Sequence, residues 1–230
     1  GAPFLDKAQL LSTNEIKIIL RAMSDLGVKK VRFTGGEPLL RKDIIDLIKY
    51  SSQRSIFESV HITTNGLLLS NYIDQLEQAG LNGINISLDT LDAEKFKKIT
   101  RRDEFQKVIK GLNAAILSDI KHIKVNVVAM RDFNQNEILD FVELTKTNDI
   151  TVRFIELMPF DSHQIWKTGK YYGADKILSH LRENIKHLRP ISGSNTEHHI
   201  FQIDGYKGRV AVIPSFTRTL CKKCNRIRIT

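Results

Sequence analysis

Cysteine is almost missing from this chain: among 230 residues only Cys221 and Cys224 carry a thiol, so no disulfide framework is available. No apolar run approaches the length of a membrane span, and the opening GAPFLDKAQL lacks the charged start and apolar stretch of a secretion signal. Repeats of a foreign period and low-complexity tracts are absent too. These absences lead us to expect a cytoplasmic, or otherwise intracellular, protein with no membrane partner. What is present is ordinary for a folded domain, at 41% hydrophobic and 27% charged residues. Lys and Arg number 35 against 26 Asp and Glu, a formal charge of +9. That excess favours an anionic partner, whether a nucleotide, a nucleic acid or an acidic surface, with solubility as the plainer explanation.

Strand and helix periods alternate along the chain. Strands are expected at Lys30 to Thr34, Val60 to Thr64, Ile84 to Leu88, Lys124 to Ala129 and Thr151 to Leu157. Helices are expected at Thr13 to Asp25, Asp43 to Ser51, Tyr72 to Ala79, Ala93 to Ile99, Phe105 to Leu117, Glu137 to Thr147 and Ala174 to Glu183. Such a chain of βα units predicts an α/β fold with a parallel sheet or barrel. Beyond Leu157 the alternation fades; HIFQI and RVAVI, joined by DGYKG, read as a hairpin in a C-terminal appendix.

Parallel strands buried on both faces read as continuous apolar runs, and these do not. In KKVRFT, the polar Lys30, Arg32 and Thr34 alternate with Val31 and Phe33; in VHITTN, His61, Thr63 and Asn65 alternate with Val60 and Ile62. INISLD and KVNVV repeat the pattern with Asn85, Ser87, Asp89, Lys124 and Asn126. If the helices cover the apolar face, the polar face points to the barrel axis, where an unpartnered cation would cost several kcal/mol. The interior is therefore expected to be open, wet or occupied by something charged. The alternative is an open sheet whose polar face meets solvent.

Two short motifs stand out. In VRFTGGEPLLRKD, Gly35 and Gly36 permit close backbone approach and Pro38 fixes the exit, a turn suited to a ligand or merely to relieving strain. The chain closes on LCKKCNRIRIT, where two cysteines could chelate a metal centre, form a redox pair or do neither. Zinc would need two further ligands, and the adjacent His198 and His199 read more simply as exposed polar residues. An iron-sulfur cluster likewise wants more thiolates.

Taken together, KKVRFTGGEPLLRKD, TTNGLLL, INISLDTLD, KVNVVAMRDFN, VRFIELMPFD and CKKCNRIRIT resemble the radical SAM superfamily and, within it, the GTP 3',8-cyclase family of molybdenum-cofactor biosynthesis. The resemblance implies an incomplete (β/α) barrel over residues 1–160 and a C-terminal extension over 161–230. It implies that the turn at Gly36, with Ser87 and Met158, binds S-adenosylmethionine. Arg32, Thr63 and Lys124, with Lys30 and Arg153, match positions facing GTP, and Arg226 and Arg228 match the family's substrate-reaching tail. Arg153 and Met158 are an odd step apart, so a bulge or the strand's end must separate their directions. Cys221 and Cys224 match two of three ligands of a second 4Fe-4S cluster. The implied chemistry is cleavage of S-adenosylmethionine by a reduced cluster, hydrogen removal from C3' of the GTP ribose and closure onto C8 of guanine. An electron donor is implied, and a homodimer is compatible.

The chain departs from the family pattern at both ends. It begins just beyond the segment where the family's C-x-x-x-C-x-x-C loop belongs, and stops at Thr230 before a third C-terminal cysteine. An internal fragment, inactive alone, is the expectation. Two other readings are weighed: a peptide-modifying radical SAM enzyme with an auxiliary cluster, and a basic nucleic-acid-binding module. The first lacks the NRIRIT tail. Against the second, stacking aromatics do not gather in any βα loop, so no nucleic acid is expected.

Overall fold

A computed structural model describes residues 10–53, 57–158, 169–191, 199–217 and 227–229. Helix α1 (Thr13–Asp25) opens on a capping box in which Ser12 and Glu15 satisfy each other's backbone N–H groups. Strand β1 (Lys30–Phe33) then begins a regular alternation with helices α2 (Ile44–Gln53), α3 (Leu69–Gln78), α4 (Ala93–Thr100), α5 (Phe105–Leu117) and α6 (Ile138–Thr147). The strands between them are β2 (Ser59–Thr64), β3 (Gly83–Ser87), β4 (His122–Ala129) and β5 (Ile150–Glu156). Helix α7 (Ala174–Asn184) and strands β6 (Leu188–Ile191), β7 (His199–Ile203) and β8 (Arg209–Ile213) follow.

The strands form one open sheet in the order β1-β2-β3-β4-β5-β8-β7-β6. Strands β1 to β5 are parallel, and β8 joins β5 as a sixth parallel strand. Its hairpin partner β7, and then β6, continue the sheet antiparallel. The C-terminal part thus extends the barrel wall. The alternation predicts a parallel sheet or barrel and the resemblance an incomplete barrel; the sheet is open, not closed.

The apolar face is buried as its residues require. Val60, Ile62, Ile84, Ile86, Val125, Val152, Phe154 and Val212 carry almost no exposed surface, and α2 packs on β2, α6 on β5 and α7 on β8. Each such side chain contributes about 1.5–3 kcal/mol when fully buried, so this face fixes the strand register. The opposite face is left to the polar residues.

Candidate active site

Parallel registration stacks the polar face into rows. Arg32 aligns with His61, then Gly83 and His122; the next row is Thr63, Asn85, Lys124, Thr151 and Arg209. The row nearest the C-terminal strand ends is Ser87, Asn126, Arg153 and Ala211. Cross-strand partners share a face, so Arg32, Thr63, Ser87, Lys124 and Arg153 lie on one surface. Arg153 sits mid-strand, its Nε 2.8 Å from Asn126 Oδ1. The Asn85 amide lies 3.1 Å from Thr63 Oγ1 and 3.2 Å from both Nε and Nη1 of Arg32; presenting its oxygen satisfies all three donors.

Cations crowd this face. Burial, then the charges of Arg153, Lys30, Arg32 and Arg209, push the Lys124 ammonium down to about 8. His61 is only 1% exposed. Burial and the neighbouring Lys30, Arg32 and Lys124 drive its pKa down to about 3, so it is neutral at physiological pH. Its ring stacks on that of His122, centroids 6.1 Å apart and planes 9° from parallel. Gly83 makes the stack feasible, because a Cβ there would stand 2.4 Å from His61 Nδ1. The face is therefore a strongly positive surface floored by uncharged imidazoles, suited to a polyanion.

The rim above it carries Gly36, Ser87 and Met158. Gly36 follows β1 by three residues, Ser87 ends β3 and Met158 lies two residues past β5. All three are exposed, Met158 by 39%. The strand's end at Glu156, with no bulge needed, accounts for the odd step between Arg153 and Met158. Gly35 has φ +143°, a conformation only glycine adopts readily. Gly36 does not share it, and among the described residues a Cβ on Gly36 would meet nothing within 4 Å. Neither strain nor packing among the described residues demands glycine there, whereas a ligand lying against the backbone would. Glu37 anchors the turn, accepting from Thr64 Oγ1 (2.8 Å) and from the N–H groups of Asn65 (2.7 Å) and Leu39 (3.1 Å).

Further buried carboxylates pin the other loops at this end of the sheet. Glu137 accepts from Thr90 Oγ1, Leu91 N and Lys95 Nζ, each at 2.7 Å. Glu156 accepts from Ala174 N (2.6 Å), Phe216 N (2.9 Å), Thr217 N (3.0 Å), Thr217 Oγ1 (3.0 Å) and Tyr171 Oη (3.1 Å). Burial opposes its ionisation, yet the backbone donors hold its pKa below the ordinary range. Burial and the Glu156 charge push the Tyr171 phenol up to about 12.

Sequence reasoning overlooked Arg209, which joins the cations only because β8 pairs with β5, and Glu156. The signal for Glu156 was its place on the apolar side of VRFIE, after Val152 and Phe154. Arg228 is exposed within 227–229. Cys221, Cys224, Arg226 and His198 lie outside the described residues.

A family model described as the radical SAM superfamily matches residues 2–145, and one described as Molybdenum Cofactor Synthesis C matches residues 150–230. Streptococcus suis SuiB, in its crystal structure bound to S-adenosylmethionine, superposes with a TM-score of 0.54 at 23% identity, over 74% of this chain and 39% of that one, a likeness of fold. A protein named GTP 3',8-cyclase from Chlorobaculum tepidum is 45% identical over 97% of this chain and 68% of its own. Molybdenum cofactor biosynthesis protein 1 of Drosophila melanogaster is 40% identical over 100% of this chain, which spans 40% of the fly protein's length. The chain belongs to the radical SAM superfamily and, within it, to the GTP 3',8-cyclase family. Use of S-adenosylmethionine and a 4Fe-4S cluster goes with that superfamily.

Proposed function

We propose that the protein to which this chain belongs is a GTP 3',8-cyclase that converts GTP to 3',8-cyclo-7,8-dihydro-GTP for molybdopterin biosynthesis. The observation that carries this reading is the polar face on which Arg32, Lys124 and Arg153 converge with Thr63 among amides and imidazoles. In this reading the three cations, with Lys30, take the triphosphate and Thr63 offers a hydroxyl to the nucleotide. Charge-assisted bonds to phosphate are the strong ones, and the guanidinium forks of Arg32 and Arg153 suit them geometrically. Gly36, Ser87 and Met158 on the rim above hold S-adenosylmethionine, the backbone at Gly36 standing closest to it.

The bound cofactor, with a reduced 4Fe-4S cluster and an external electron donor, supplies the radical chemistry at C3' of the ribose. The chain's own residues position and exclude water, which is why no acid–base pair is assigned. We take residues 1–160 as the partial barrel and 161–230 as an extension whose Arg226 and Arg228 reach the nucleotide. Cys221 and Cys224 are assigned to a second cluster.

Titration of the chain with GTP at low and high salt tests this. Binding that weakens as salt rises, with no comparable binding of a peptide library, is expected. Absence of nucleotide binding at low salt, together with capture of a peptide, would favour the peptide-modifying alternative.

A further inference from the structure

Glu156 occupies a position that strand alternation reserves for an apolar side chain, and it is 1% exposed. A carboxylate there would cost several kcal/mol without partners. It has them from two other segments. Ala174 N belongs to the first residue of α7, whose N-cap, Gly173, makes no side-chain cap, so Glu156 supplies the missing acceptor and the negative charge that a helix start favours. Phe216 and Thr217 belong to the stretch that leaves β8. Tyr171 joins the two, donating to Glu156 and meeting the Phe216 ring edge-on at 5.8 Å. Glu156 also ends β5, three residues after Arg153 and two before Met158, so it ties the strand that carries Arg153 and leads to Met158 to the segment that leaves β8.

We propose that Glu156 is a positioning residue: it sets where the segment after β8 departs from the sheet, and through that placement it controls affinity for the nucleotide. It touches no reacting atom. The inference rests on the proposed GTP site, but the tether it describes has its own readout. Glu137 provides the comparison: it too is a buried carboxylate, accepting from Thr90, Leu91 and Lys95, and among the described residues its partners lie in the loop after β3 and in α4 rather than in the C-terminal segment.

The experiment compares wild-type chain, Glu156→Gln, Thr217→Val and Glu137→Gln in three measurements: GTP dissociation constant, melting temperature, and amide exchange over residues 209–217. The expected result is faster exchange in Glu156→Gln, a roughly tenfold loss of GTP affinity corresponding to about 1.4 kcal/mol, a smaller loss in Thr217→Val, and none in Glu137→Gln despite a lowered melting temperature. Should Glu156→Gln fail to fold, Thr217→Val and Tyr171→Phe each remove a donor while leaving the carboxylate, and unchanged affinity in both would overturn the proposal. So would equal weakening by Glu137→Gln. If wild type binds no GTP, the proposed nucleotide site falls, while the exchange comparison still decides whether Glu156 fixes this segment.

Discussion

The polar face and the loop ends of the same sheet treat charge in opposite ways. On the face, Arg32, Lys124 and Arg153 stand beside one another, with Asn85, Asn126 and Thr63 as neutral neighbours. At the loop ends, Glu37, Glu137 and Glu156 are enclosed by backbone N–H groups and hydroxyls, with Lys95 added at Glu137. The carboxylates are consumed in holding the loops, whereas the cations retain a positive field at a cost to the unliganded fold. With the nucleotide site proposed above, stability and binding are therefore assigned to different charges, which are expected to separate under mutation.

The largest effect expected is on the loop-end side. Glu137→Ala strips acceptors from Thr90, Leu91 and Lys95 and costs about 3–5 kcal/mol, the range for breaking a buried charged network; urea unfolding measures it. Lys124→Met works the other way. It weakens GTP binding ~10–100-fold, the worth of a charged hydrogen bond of about 1.5–3 kcal/mol, and leaves urea stability unchanged or improved. If Lys124→Met unfolds the chain as readily as Glu137→Ala, the contrast between the two regions collapses.

Acidity sharpens the contrast further. His61 and Lys124 are bases with folded pKa values of about 3 and about 8, below their ordinary 6.5 and 10.5. In both windows the unfolded chain binds the extra proton, so stability falls as pH drops from 6.5 toward 3 and rises as pH climbs from 8 toward 10.5. Each group contributes a slope of at most about 1.4 kcal/mol per pH unit. Urea midpoints across pH should show both slopes, His61→Gln flattening the acidic one and Lys124→Met the alkaline one. GTP affinity declines above pH 8 as Lys124 loses its proton. The smallest change in stability belongs to Gly36→Ala, within about 0.5 kcal/mol because open space receives the methyl group. S-adenosylmethionine binding, followed by titration, weakens nonetheless; an unchanged affinity would remove Gly36 from the cofactor's cradle.

Much of this was legible in the residues. Helices α1 and α5 have the bounds their periodicity predicts, and the alternation of the strands puts Arg32, Thr63, Ser87 and Lys124 on one stripe. Helix α3 begins at Leu69, earlier than expected, because its N-cap Leu68 offers no capping side chain as a signal. Strand β6 escaped notice since Pro190 sits within it, tolerable only because β6 is an edge strand. Most consequentially, nothing local in RVAVI reveals that it pairs with β5 as well as β7. Pairing across some fifty intervening residues is a property of the whole sheet, and it is what brings Arg209 to the cations and Phe216 to Glu156.

The cluster of like charges that Arg32, Lys124 and Arg153 place on one face of β1, β4 and β5 also bears on how the protein is handled. A surface that repels itself when empty will recruit whatever counter-ion the solution provides, so sulfate, pyrophosphate or citrate in a purification buffer should act as place-holders, raising thermal stability and masking the nucleotide's apparent affinity. Preparations in chloride alone are the ones in which its true affinity will be seen.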